Sequence, residues 1–218
     1  MSSHFCQDIS IPCTSGNLEG RLTYREENSD KPGVILCSPH PLLAGNMDNN
    51  VITALADTLA NHFPVLSFNY RGVGKSFKAE PDLPLFEYWD RLDQSNDFSA
   101  IISDTKQVIE WSKRFFSKFH LLGYSFGSFI GLSALPQSTL SFTGITPPLG
   151  EHNFELLPGL RCKTLLIFAE KDSLLKQKTN NLSAKATIHN ISDSDHFFLG
   201  KEQNVAKIVD SFLIAIPF

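Results

Sequence analysis

Short apolar runs alternate with longer amphipathic ones along most of this chain, and that alternation restricts the sheet it can build. Residues 33–38, 65–69, 119–123, 142–145, 164–169 and 186–190 read as strands. Helix-period patterns occupy about 50–62, 99–116, the stretch opening at Ser125, and about 203–215. Strands that are apolar at every position need cover on both faces, and intervening helices supply it, so the pattern predicts a mostly parallel, doubly wound sheet. The beginning of the chain differs. Ile9-Ser10-Ile11 and Leu22-Thr23-Tyr24 alternate in polarity and are split by Ser15-Gly16-Asn17, which predicts an antiparallel hairpin at the sheet edge. With about eight strands, no linker between two cores and no internal repeat, residues 1–218 read as a single α/β domain.

Charge and targeting signals narrow the function. A net charge of -4 without a basic cluster argues against nucleic acid as a partner. The first eight residues lack the basic and apolar regions of a signal peptide, and no apolar run approaches the 18 or so residues of a membrane span. The expected location is therefore cytoplasmic, with no membrane partner. Cys6, Cys13, Cys37 and Cys162 are scattered without metal or disulfide spacing, and Cys37 lies in an apolar run as a buried thiol would.

The chemistry is carried first by Gly123-Tyr124-Ser125-Phe126-Gly127, which fits G-x-S-x-G. At average composition chance gives this pattern in roughly 7 of 100 chains of this length, so the context must carry it. Here a strand ends at Leu122 and a helix pattern starts just after the serine. That is the strand–turn–helix setting in which a serine is presented as a nucleophile.

A serine hydroxyl needs a base within hydrogen-bond reach, and the base needs an acid to orient it. Asp172 follows the strand at 164–169, at the C-terminal edge of the sheet, and His196 lies in the polar loop Ser192–Phe198 after the last strand. Their order, Ser then Asp then His, fits this kind of sheet. Asp172 could instead cap the helix pattern that follows it, and Glu170 is a rival acid. His189 sits within a strand pattern, His40, His62, His120 and His152 fall elsewhere in the order, and Asp195 adjoins His196 so closely that its side chain would point away from the ring.

The negative charge of an acyl-transfer intermediate needs two N–H donors. Phe126, directly after the nucleophile, is one candidate. The other comes from the loop Pro39-His40-Pro41-Leu42-Leu43-Ala44-Gly45; Pro41 has no N–H, which leaves Leu42. Asn69-Tyr70-Arg71-Gly72-Val73-Gly74-Lys75-Ser76 lacks the third glycine of a dinucleotide fingerprint and the ending of a P-loop, so it reads as a tight turn buttressing the oxyanion loop.

Taken together, Pro39-His40-Pro41-Leu42, Phe68–Ser76, the Ser125 turn and Asp195-His196-Phe197-Phe198 span most of residues 33–215. In that order they resemble the α/β-hydrolase superfamily, and within it the small, cap-poor, dienelactone-hydrolase-like enzymes with a Pro-His-Pro loop. The resemblance implies Ser125 as nucleophile, Asp172 as acid and His196 as base, in agreement with the residue-level reading. Two positions depart from the family pattern: Ala44 precedes Gly45 where two glycines are usual, and Ser38 stands where a histidine often precedes the Pro-His-Pro.

The resemblance also makes 77–98, with Phe86, Tyr88 and Trp89, longer than the matching connection usually is. Only about 16 residues separate Thr146 from Cys162, where larger relatives insert a cap. The expectation is that the three aromatics form a small lid, with a plain surface loop as the alternative. The function expected is a serine hydrolase of small carboxylic esters or thioesters, acting through an acyl-serine without metal or organic cofactor. The alternatives are lactone, C–C bond or acyl-transfer chemistry on the same residues, or a non-catalytic binding protein on the hydrolase fold.

Overall fold

The computed structural model describes residues 4–174 and 185–218. The helix pattern after Asp172 lies outside them. The chain opens with an antiparallel hairpin, β1 (His4–Cys13) and β2 (Gly16–Arg25), paired along its length from His4↔Arg25 to Cys13↔Gly16. There follow β3 (Gly33–Cys37), α1 (Asn50–Leu59), β4 (Val65–Phe68), α2 (Leu85–Ser95) and α3 (Ser99–Ser112). The second half contributes β5 (Phe119–Tyr124), α4 (Phe126–Ala134), β6 (Ser141–Ile145), β7 (Lys163–Ala169), β8 (Thr187–Ile191) and α5 (Glu202–Ile214).

Among the described residues these strands form one eight-stranded sheet in the order β1-β2-β4-β3-β5-β6-β7-β8. From β4 to β8 every pair is parallel, and β2 joins β4 antiparallel. The alternation of side chains along the strands divides the core in two. Val34, Leu36, Leu122 and Tyr124 face α1 and α5, whereas Ile35, Cys37 and Leu121 face α3 and α4. Each central strand is buried at every residue, as its sequence required.

From β3 the chain steps outward to β4, then returns past β3 to β5. The order therefore reverses between β3 and β5, and open α/β sheets place their ligand crevice at the carboxyl ends of such strands. The loop after β3 and the turn after β5 meet there.

The fold adds one helix to the expected set. Within 77–98, read as a lid or loop, α2 turns Leu85, Tyr88, Trp89 and Leu92 inward at spacings of three and four. Trp89 is completely buried, packed on Tyr70 and Phe126 with ring centroids 6.0 Å away in each case. Phe86 points outward.

Candidate active site

The turn between β5 and α4 is forced by close packing. Ser125 has φ 51° and ψ −122°, a region that costs a non-glycine residue about 1–3 kcal/mol. Its neighbours hold it there. The Ser125 N–H donates to the Ile145 carbonyl (2.7 Å), and the Ser128 hydroxyl donates to the Gly123 carbonyl (2.7 Å). A Cβ on Gly123 would lie 2.2 Å from the Gly127 carbonyl oxygen, and one on Gly127 would lie 2.2 Å from the Cys37 oxygen. Both glycines are therefore required by approach distance: strand meets helix at the first, helix meets β3 at the second.

Three expected residues converge. His196 Nε2 lies 3.0 Å from Ser125 Oγ, and its Nδ1 lies 2.8 Å from Asp172 Oδ2. The side chains of His196 and Asp172 are 4 % and 1 % exposed, so this contact is shielded from water. Asp172 Oδ1 also accepts the Leu174 N–H at 3.1 Å, a local turn two residues on. The rivals are occupied elsewhere. Glu170 accepts the Asp193 N–H (2.9 Å), Asp195 accepts the Phe197 N–H (3.0 Å), and His189 is exposed on β8. Sequence reasoning did not single out Tyr124, whose hydroxyl donates to the His196 carbonyl at 2.7 Å while its ring stacks on the imidazole.

Phe126 supplies the first N–H of α4, one of the four at a helix start that have no partner four residues back. The Leu42 N–H is held differently: it donates to His40 Nδ1 at 3.2 Å within the turn Pro41–Leu43. This loop is tight. The Leu43 and Gly45 N–H groups both donate to the His40 carbonyl, and a Cβ at Gly45 would fall 2.0 Å from the Pro39 oxygen. Residues 69–76 brace it: Asn69 Oδ1 accepts the Met47 N–H (2.8 Å), and the Tyr70 hydroxyl donates to the Ser38 carbonyl (3.1 Å). Arg71 is fixed behind them by a two-pronged ion pair to Asp104, at 2.7 and 2.8 Å.

A cavity of about 600 Å³ opens beside Ser125. Its wall includes Leu42, Leu43, Phe98, Phe126, Pro148 and Leu174, with His40, Asp93, Asn96, Glu151 and His152 as polar members. From segment 77–98 it is Asp93, Asn96 and Phe98 that reach this wall, and not Phe86, Tyr88 or Trp89. His152 stacks on Phe129 at 4.4 Å, and burial, aided by His40, lowers its pKa to about 4, so it is neutral at pH 7. No spacing in the sequence marked His152 or Asp93 for this wall. Cys37, beneath the turn, has its thiol pushed up to about 12 by burial. No cluster of three or more potential metal ligands occurs among the described residues.

A family model for the alpha/beta hydrolase fold matches residues 40–148, half of the chain. The chain belongs to the α/β-hydrolase family. An uncharacterized protein of Rickettsia prowazekii is 26% identical over 220 residues, covering 92% of this chain and 86% of the other. Among solved structures, an alpha-beta serine hydrolase homologue from Coxiella burnetii has a TM-score of 0.80 at 26% identity, over 95% of this chain and 97% of that one. A Xanthomonas campestris protein described as an a/b serine hydrolase without lid (TM-score 0.78, 21% identity, 98% and 96% covered) shares the fold. So does a dienelactone hydrolase from Anabaena variabilis (0.75, 14%, 100% and 99%). Family membership and the serine hydrolase likeness support hydrolase activity for this α/β-hydrolase. Among its described residues no helix is long and apolar enough to cross a membrane.

Proposed function

We propose that this chain is a serine hydrolase that cleaves small carboxylic esters or thioesters through an acyl-serine intermediate. The observation that carries the reading is the unbroken line from Ser125 Oγ through both ring nitrogens of His196 to Asp172. An Nδ1–H donated to Asp172 leaves the Nε2 lone pair facing the hydroxyl, which is the tautomer a general base requires.

In the first half of the reaction His196 Nε2 takes the Ser125 proton as Oγ bonds to the substrate carbonyl carbon. The carbonyl π electrons move onto oxygen, and that oxyanion is received by the Phe126 N–H at the positive end of α4 and the Leu42 N–H of the loop after β3. Collapse expels the alcohol or thiol, which leaves with the proton from His196. In the second half His196 takes a proton from water as the water oxygen attacks the acyl carbon. The carboxylic acid departs, and the proton returns to Ser125. Asp172 keeps its charge throughout and stabilises the imidazolium.

The test is labelling by a fluorophosphonate together with hydrolysis of p-nitrophenyl esters and acyl thioesters, on wild type and Ser125→Ala. The expected result is an adduct on Ser125 and turnover, both lost in the variant by a factor of about 10⁴ or more. A folded wild type that neither labels nor turns over any member of the panel would overturn the reading.

A further inference from the structure

His40 is placed where no general base is needed, yet the structure organises the oxyanion loop around it. Prolines on both sides remove two N–H groups, and the residue is held extended at φ −64° and ψ 131°, as the residue before a proline must be. Its carbonyl receives two loop N–H groups, and its Nδ1 receives a third, that of Leu42. The ring packs edge-to-face between Trp89 (5.1 Å) and Phe126 (4.9 Å), so it touches the residues of both expected oxyanion donors. On its far side Nε2 lies 3.1 Å from Asp93 Oδ1, a contact bent away from the line of a well-directed hydrogen bond. Asp93 and Trp89 are four residues apart on α2, so one face of one helix supports the ring from two directions.

We propose that His40 is a positioning residue of the oxyanion hole: its Nδ1 lone pair is a place-holding acceptor for the Leu42 N–H, and Asp93 fixes the proton on Nε2 that leaves that lone pair available. The inference rests on the serine hydrolase reading, with Leu42 as one of its donors.

Two acceptors compete for the Leu42 N–H, the His40 ring nitrogen at rest and the oxyanion during reaction. The Leu42 N–H is half-buried, and a donor shielded from water and left without an acceptor pulls a loop toward another partner before substrate arrives. A neutral imidazole nitrogen at 3.2 Å satisfies that donor without holding it hard. A developing oxyanion forms a charge-assisted bond, roughly twice as strong, and draws the same N–H away. The opposite tautomer would set N–H against N–H and push the loop out of place. Burial, which keeps His40 below the usual histidine range, works in the same direction by disfavouring the doubly protonated ring. In this account α2 acts as a brace under the loop, and Asp93 works through His40 without touching the reacting atoms.

The experiment uses the full chain and the variants His40→Ala, His40→Asn and Asp93→Ala. Two readouts are taken: kcat and KM for a p-nitrophenyl ester, normalised to sites titrated by fluorophosphonate, and the ¹⁵N shifts of the His40 ring. Near-UV circular dichroism confirms that each variant is folded. In wild type, Nε2 is expected to carry the proton and Nδ1 to be bare. His40→Ala is expected to lower kcat about tenfold to a hundredfold with KM nearly unchanged, less than the loss on deleting a donor outright. Asparagine can accept an N–H two residues on, so His40→Asn is expected to recover most of that loss. Asp93→Ala is expected to mix the His40 tautomers and lower kcat in proportion.

A protonated Nδ1 in wild type, a full rate in His40→Ala, or a folded His40→Asn no better than His40→Ala would each overturn the proposal while leaving the hydrolase reading intact. A wild type that neither labels nor turns over would instead refute the hydrolase reading, and the role of His40 with it.

Discussion

Replacing Tyr124 by phenylalanine isolates one hydrogen bond of the site. The side chain is 2 % exposed, its hydroxyl donates to the His196 carbonyl at 2.7 Å, and its ring stacks on the imidazole with centroids 5.8 Å apart. Phenylalanine keeps the ring contact and loses only the donor. The His196 carbonyl is then left buried with one acceptor site unfilled, at a cost of about 1–3 kcal/mol. A loss near the middle of that range, about 2 kcal/mol, lowers Tm by about 4–8 °C for a chain of this size. If all of it went into displacing His196 from Ser125, kcat would fall about thirtyfold, so a larger drop would need another cause. Differential scanning calorimetry gives the first number, and ester hydrolysis per labelled site gives the second. A Tm within about 1 °C of wild type would show that the bond contributes nothing and refute the reasoning.

Gly127→Ala drives a Cβ against the Cys37 and Ser38 carbonyls at 2.2 and 2.5 Å, so urea unfolding should show a loss of about 3 kcal/mol or more. Trp89→Ala should cost about 3–5 kcal/mol by the same assay, because the side chain is fully buried. Phe86→Ala, at an exposed position outside the cavity wall, should leave both stability and KM as they are; a raised KM would restore Phe86 to the substrate's path. His120 is buried and its pKa is lowered to about 4, from 6.5, by burial. Between those values the unfolded chain binds a proton the folded chain refuses, so stability falls as pH drops from 6.5 to 4, by at most about 1.4 kcal/mol per pH unit for this site. His120→Asn should flatten that part of the curve in urea titrations at several pH values.

The sheet was readable because its central strands are buried on both faces and so are largely apolar, with only isolated polar residues such as His120 in β5 and Ser67 in β4. Ser125 was readable because it sits just beyond such a strand, and His196 because chain order places it in the loop after the last strand, β8. α2 was harder to see. Its apolar residues Leu85, Tyr88, Trp89 and Leu92 do have helical spacing, but acids and flanking prolines surround them, and the segment reads as a loop. The wall of the cavity was not legible. His152 and Asp93 come from separate connections, and only the packing of Phe129 and α2 brings them to one place. The engagement of the Leu42 N–H by His40 depends on side-chain direction within a three-residue turn, which no periodicity encodes.

The Tyr124 hydroxyl also bears on how motion spreads through the sheet. β8, from which the His196 loop departs, lies three strands away from β5, and all but one of its residues are exposed. Without a shortcut, every twist across β5, β6, β7 and β8 would reappear in the gap between Ser125 and His196. The hydroxyl ties the His196 carbonyl to the strand that ends at Ser125, so the two are referenced to a common origin. The Ser125–His196 spacing therefore has a direct link to β5 as well as the longer path across the sheet.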